Sequence, residues 1–171
     1  MYFQLTREME KLLGQMESWF DATIAFGKAK SFDPNTLLTA RLAPDMLPLA
    51  AQIGIACDSA KLGASRLSGK DAPKHGDNMT TFEEARARVH DVRGYLASYK
   101  EADFAGSDEK LISASPRWEG KVLPGADYFV HHNVPNFFFH VTMTYAILRH
   151  NGVPLGKSDF LGALPLIAPP A

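Results

Sequence analysis

The sequence holds a single cysteine, Cys57, no apolar run long enough to span a membrane, and no excess of either charge. One cysteine forms no internal disulfide and anchors no cysteine-based zinc site. Eighteen basic residues against nineteen acidic ones give a formal net charge of −1. That balance lacks the one-signed footprint that phosphate backbones require, so nucleic acid is not an expected partner. No stretch reaches the roughly eighteen uninterrupted apolar residues of a spanning helix, so no membrane partner is expected either. The opening "MYFQLTREMEKLL" has no basic segment followed by an apolar run, so no secretory signal is read there. A soluble, cytoplasmic protein is the expectation. What remains is ordinary globular composition, 46% hydrophobic and 22% charged over 171 residues, enough for one domain with a proper core over 1–171.

Four segments carry a helical period. Leu5, Met9, Leu12, Met16, Trp19, Thr23 and Phe26 recur at steps of three and four, predicting an amphipathic helix of about six turns. "PDMLPLAAQIGIACDSAKLGASRLSG" opens on prolines that suit a first turn and stops at Gly69. Its inward row, Met46, Leu49, Ile53, Ala56, Ala60, Ala64 and Leu67, is rich in small residues that admit a close neighbour. The third helix starts at a capping box, Thr80 with Glu83 or Thr81 with Glu84. Phe82, Ala85, Val89, Val92, Leu96 and Tyr99 form its apolar row, while Glu84 and Arg88 read as an exposed pair four residues apart. Arg86 and His90 fall on the same solvated side, and "KDAPKHGDNM" before the helix is a polar connection.

The helical period lapses between Ala102 and Asn133. Leu111–Ser115 and Gly120–Leu123 read as two short strands around a turn at Pro116, a hairpin within an excursion of about 103–132. The fourth helix is expected from about Val134, with Asn133 as N-cap, Pro135 in the first turn and a stop at Asn151-Gly152. Arg149 and His150 suit the negative end of its dipole. An apolar, proline-rich tail, about 153–171, is expected to pack back on the body or on a partner. The fold class that follows is all-α, an up-and-down four-helix bundle with a small β-hairpin excursion before the last helix.

The last helix is apolar on nearly every side, yet its middle carries the polar row Asn136–His140–Thr144. One reading is a ligand pocket between helices, with His140 as base or metal ligand and Gln52 or Asp58 converging from the second helix. The blander reading, favoured on residue types alone, is a core histidine whose nitrogens are satisfied by polar neighbours. Two imidazoles a turn apart would chelate an ion, but an asparagine in place of one offers only a neutral oxygen. His131 and His132 are adjacent and point in different directions, so they are not expected to chelate. "GVPLGKS" has three residues between its glycines where a phosphate loop has four, and it follows a helix instead of a strand. Cys57 has no cation or helix start predicted beside it and reads as a packing residue. Trp19, Phe20, Trp118 and Tyr128 read as core or covering aromatics.

"RLAPDMLPLAAQIGIACDSAK" (41–61) and "VPNFFFHVTMTYAILRHNGVPLGKSDFLG" (134–162) resemble the two signature blocks of a bacterial domain-of-unknown-function family, nineteen ninety-three in that series. Through it the chain resembles the DinB/YfiT-like superfamily of metalloenzymes, four-helix bundles that are often dimeric and include thiol-dependent transferases and isomerases. The resemblance implies a divalent metal on three histidines, one on the second helix and two a turn apart on a later one. His140 takes the second of the paired positions, Asn136 the first, and Gln52 is the counterpart on the second helix. One imidazole of three is kept. The expectation is therefore a small-molecule-binding module using Gln52, Asn136, His140 and Thr144, with no cofactor. A weakly metal-dependent thiol transferase would instead hold a divalent metal on Gln52, Asn136, His140 and Asp58. A third alternative is a structural interaction protein. A homodimer is expected, because the last helix and tail leave much apolar surface for one small subunit.

Overall fold

The structure, a computed structural model, describes residues 1–169. In chain order it runs α1 (Tyr2–Lys30), a 3-10 turn (Pro34–Thr39), α2 (Leu49–Ser68) and α3 (Phe82–Ala97). A second 3-10 turn (Glu101–Phe104) leads into β1 (Leu111–Ile112) and β2 (Leu123–Pro124). Then come α4 (Gly125–Asp127), a π-helical turn (Tyr128–Asn133), α5 (Val134–His150) and α6 (Lys157–Leu161). The result is an all-α four-helix bundle with a minimal hairpin, as the periodicities predict.

The rows read from sequence are the rows that pack. Met9, Leu12, Met16 and Trp19 of α1 are buried, as are Leu49, Ile53, Ala56, Ala60, Ala64 and Leu67 of α2. Met46 falls before α2, which begins only after Pro48 as its N-cap. The largest interface joins α2 to α5; α1 packs chiefly on α3, and α2 also packs on α3. Gln52, Ser59 and Gly63 lie along the α2 face that meets α5 and the π turn, and this face leaves the two backbones close enough for short polar groups to bond across. Gly69 ends α2 at φ 88, and Thr81 with Glu84 forms the capping box of α3.

Two expectations need correction. The last long helix does not start at Val134 under an Asn133 cap. Helical geometry is continuous from Gly125, so the excursion ends there, and Asn133 is itself helical at φ −67, ψ −53 with no cap bond. Pro135 lacks an N–H for the carbonyl four residues back, and its ring crowds that carbonyl; a wider π turn just before it relieves both. Nor do Glu84 and Arg88 form an exposed pair. Glu84 bonds Thr80 and Thr81 at the helix start, whereas Arg88 is 5% exposed, turned into the core.

The hairpin pairs only Leu111 with Pro124 and Ile112 with Leu123. The tail packs back on the body for its first part: Val153 and Leu155 are buried, and Phe160 of α6 stacks on Trp19, whose Nε1 donates to the Asp159 carbonyl. Leu164, Leu166 and Ile167 are exposed. The last two residues of the expected tail, 170 and 171, lie outside the described residues.

Candidate functional site

Gln52 and His140, 88 positions apart, meet across the α2–α5 interface. Oε1 of Gln52 lies 2.7 Å from Nδ1 of His140. Gln52 is 1% exposed and its Nε2 donates to the Leu47 carbonyl at 3.1 Å, which fixes the amide's orientation. With Oε1 thereby the acceptor, Nδ1 of His140 must carry the proton. Burial pushes the imidazole pKa down, favouring the neutral ring. Nε2 then holds a lone pair. No described residue bonds it, and it is not among the fully enclosed polar atoms that lack a partner, so the 8% of His140 left exposed reaches this atom.

Asn136 is one turn before His140. Its Nδ2 donates to Ser59 Oγ at 2.6 Å, while that hydroxyl donates to the Ile55 carbonyl at 2.7 Å. Ser59 therefore accepts from Asn136, and Oδ1 of Asn136 is left without a donor among the described residues. Ser59 was not singled out in the sequence, although it stands seven residues after Gln52 and thus on the same helix face. Asn133, in the π turn, also reaches Ser59, donating from Nδ2 to its carbonyl at 2.7 Å; its Oδ1 is buried without a donor. Thr144 is drawn away, donating to the His140 carbonyl within its own helix at 2.9 Å.

Asp58 does not join this group. One carboxylate oxygen takes Arg88 at 2.8 Å and Lys61 at 2.9 Å, on the side of α2 that faces α3. Arg88 also donates to the Gly54 and Gly76 carbonyls. Lys61, 4% exposed, lies 2.7 Å from Nδ1 of His75, whose Nε2 lies 2.9 Å from Asp91. An ammonium can only donate, so Nδ1 accepts and Nε2–H points to Asp91. Burial first, and Lys61 second, lower the His75 pKa. Clefts of about 360 and 390 Å³ flank Arg88. Arg88 had a positional signal, since it lies three residues past Ala85 and four before Val92; His75 had none.

The remaining candidates fall as the sequence suggests. His131 is exposed; His132 stacks on Tyr128 and meets Trp118 edge-on, its pKa lowered by burial and then by Arg66. Cys57 is fully buried, as a packing residue would be, and burial pushes its thiol up to about 12. Against the sequence reading, cations do lie beside it: Arg88 and Lys61 act to lower its pKa, and burial outweighs them. Among the described residues no three His, Cys, Asp or Glu side chains gather as a metal-binding group. No described helix is long and apolar enough to cross a membrane.

The fold is shared with a solved protein. A crystal structure of a DinB family member protein from Shewanella denitrificans superposes with a TM-score of 0.91 at 46% identity, covering 96% of this chain and 93% of that one. A search of curated proteins gave no match. The sequence profile of the Domain of unknown function (DUF1993) family matches residues 1–161, and the chain belongs to that family.

Proposed function

We propose that this protein is a small-molecule-binding helical bundle whose site lies at His140, Gln52 and Asn136 and which works without a firmly held metal. One observation carries the reading: Gln52 holds the His140 ring so that Nε2 presents its lone pair at the edge of the core. A histidine serving packing alone would be expected to satisfy both nitrogens internally.

A DinB/YfiT-like metal centre would need three imidazoles where this chain has Gln52, Asn136 and His140. Gln52 Oε1 is taken up by His140, leaving one imidazole nitrogen and one neutral amide oxygen. Such a donor set does not fit a borderline divalent ion, and the carboxylate of Asp58 is engaged by Arg88 and Lys61. The polar side chains at the site therefore bind and orient a ligand. Homodimeric assembly in the cytoplasm goes with this reading, supported by the exposed tail side chains Leu164, Leu166 and Ile167. Light scattering at micromolar concentration should give twice the chain mass.

Elemental analysis of untagged protein, purified without added metal, tests the central claim. Far less than one ion per chain is expected, unchanged in His140→Ala. A stoichiometric ion lost in that variant would overturn the proposal in favour of a metal-dependent enzyme.

A further inference from the structure

Resting on that reading, we infer that the His140 site selects an uncharged ligand through a hydrogen-bond donor, an O–H or N–H on an apolar body, and discriminates against carboxylates and phosphates. The argument is a closed chain of assignments. Backbone carbonyls at Leu47 and Ser59 can only accept, so they fix the amide nitrogens of Gln52 and Asn133. The Ser59 hydroxyl, spent on the Ile55 carbonyl, fixes that of Asn136. What the three amides and the imidazole leave over is acceptors: Nε2 of His140, Oδ1 of Asn136 and, buried beside Gly63, Oδ1 of Asn133. The donors left are second hydrogens on amide nitrogens already engaged and, at the Asn133 end, the Tyr128 hydroxyl, which accepts from Arg66 and Asn133.

Charge is absent from the same place. None of Gln52, Ser59, Asn133, Asn136, His140 and Thr144 takes part in an ion pair among the described residues; the buried cations Arg88 and Lys61 are spent on Asp58, on the α3 side of α2, and Arg66 stands at the far, Asn133 end, donating to the Tyr128 hydroxyl and the Ala114 carbonyl. An anion would arrive without a counter-charge and face lone pairs. A cation would be accepted by the lone pairs but left unpaired as it was desolvated. A neutral donor meets neither cost. The rim is apolar: the Phe139 ring stands edge-on to His140 at 5.2 Å and is half exposed. It offers a face to a hydrocarbon or aromatic body behind the donor.

Four small probes of one shape test this: benzyl alcohol, benzyl methyl ether, benzoate and benzylammonium, titrated at millimolar concentration at pH 7.5. The readout is the ¹⁵N resonance of His140 Nε2, which moves when the lone pair accepts a hydrogen bond. Benzyl alcohol is expected to shift it saturably, with the ether and benzoate at least tenfold weaker and the ammonium weaker than the alcohol. His140→Phe keeps an aromatic ring and removes the lone pair; read through the backbone amide resonances of residues 136–144, followed in the wild type as well, it should lose the preference for the alcohol. If that variant does not fold, the wild-type titrations decide alone. Equal or tighter binding of ether, benzoate or ammonium would overturn the donor selectivity while leaving a ligand site in place. If no probe moves the resonance, both the selectivity and the site proposed above fall.

Discussion

A guanidinium carried into a helical core needs acceptors for its N–H groups, and Arg88 finds them for its two terminal nitrogens on one helix and a loop, while its Nε is buried without one among the described residues. Its partners are the Asp58 carboxylate and the Gly54 carbonyl on α2 and the Gly76 carbonyl in the connection before α3. Removing the charge while keeping the length, in Arg88→Met, takes the side-chain donor from the Gly76 carbonyl and leaves Asp58 with Lys61 alone, while the Gly54 carbonyl keeps its bond within α2. A fully buried pair broken in this way costs about 3–5 kcal/mol; with a third of the Asp58 side chain open to water the loss should be smaller, about 1–3 kcal/mol, read as a lower urea midpoint. Gly63 is constrained by space, not by backbone angle. A Cβ there would lie 2.3 Å from Asn133 Oδ1, which must give way. Gly63→Ala should cost about 1–3 kcal/mol by overpacking. Adding Asn133→Ala removes the clash, so the double variant should lose less than the sum of the single ones. An additive pair would mean that the two side chains do not share that space.

At the scale of elements, α6 and its anchor make a testable unit. Phe160 stacks on Trp19 and meets Tyr145 edge-on, at centroid distances of 5.7 and 5.8 Å, and the Asp159 carbonyl accepts from Trp19. Phe160→Ala removes both ring contacts, and the tail should then be cut faster by chymotrypsin after Leu161 while α1 keeps its hydrogen-exchange protection. Unchanged cleavage would show that Val153 and Leu155 hold the tail unaided. The first three long helices were legible because their apolar rows obey one period and their ends carry ordinary signals, Pro48, Gly69 and the Thr81–Glu84 box. The start of the fourth was not, since Asn133 before Val134-Pro135 reads as a cap in one dimension. Only the packing shows Asn133 turned inward to Ser59, inside a π turn. The candidate site was legible in part. Gln52, Asn136 and His140 come together with Ser59, but Asp58 belongs to a buried charge network in which His75 gives no linear signal and Arg88, though spaced with the apolar row of α3, reads as the exposed partner of Glu84. A charged side chain declares its burial only through the partner that neutralises it, and here that partner is thirty residues away.

For the molecule as a whole, three imidazoles sit where burial disfavours the charged ring. His75 accepts from the buried Lys61 ammonium and donates to Asp91; His132 is wedged among Trp118, Tyr128 and nearby Arg66; His140 donates to Gln52. Burial is the leading cause of a lowered pKa in all three, against an ordinary value of 6.5. The unfolded chain, with ordinary imidazoles, therefore binds protons at a higher pH than the folded one. Stability from these groups is fully present above about pH 6.5 and drains away as pH falls through the depressed folded values. His75 adds a local consequence, because protonation places N–H against N–H at the Lys61 contact and frees the connection between α2 and α3. Urea midpoints measured at pH 7.5, 6.5, 5.5 and 5.0 should be level between the first two and fall below them. Replacing His75 with glutamine should flatten part of that fall, and exchange protection in residues 70–79 should weaken over the same interval in the wild type but not in the variant. A midpoint that rose on acidification would mean that the folded imidazoles bind protons more readily than free ones, and the polar networks around them would have to be redrawn.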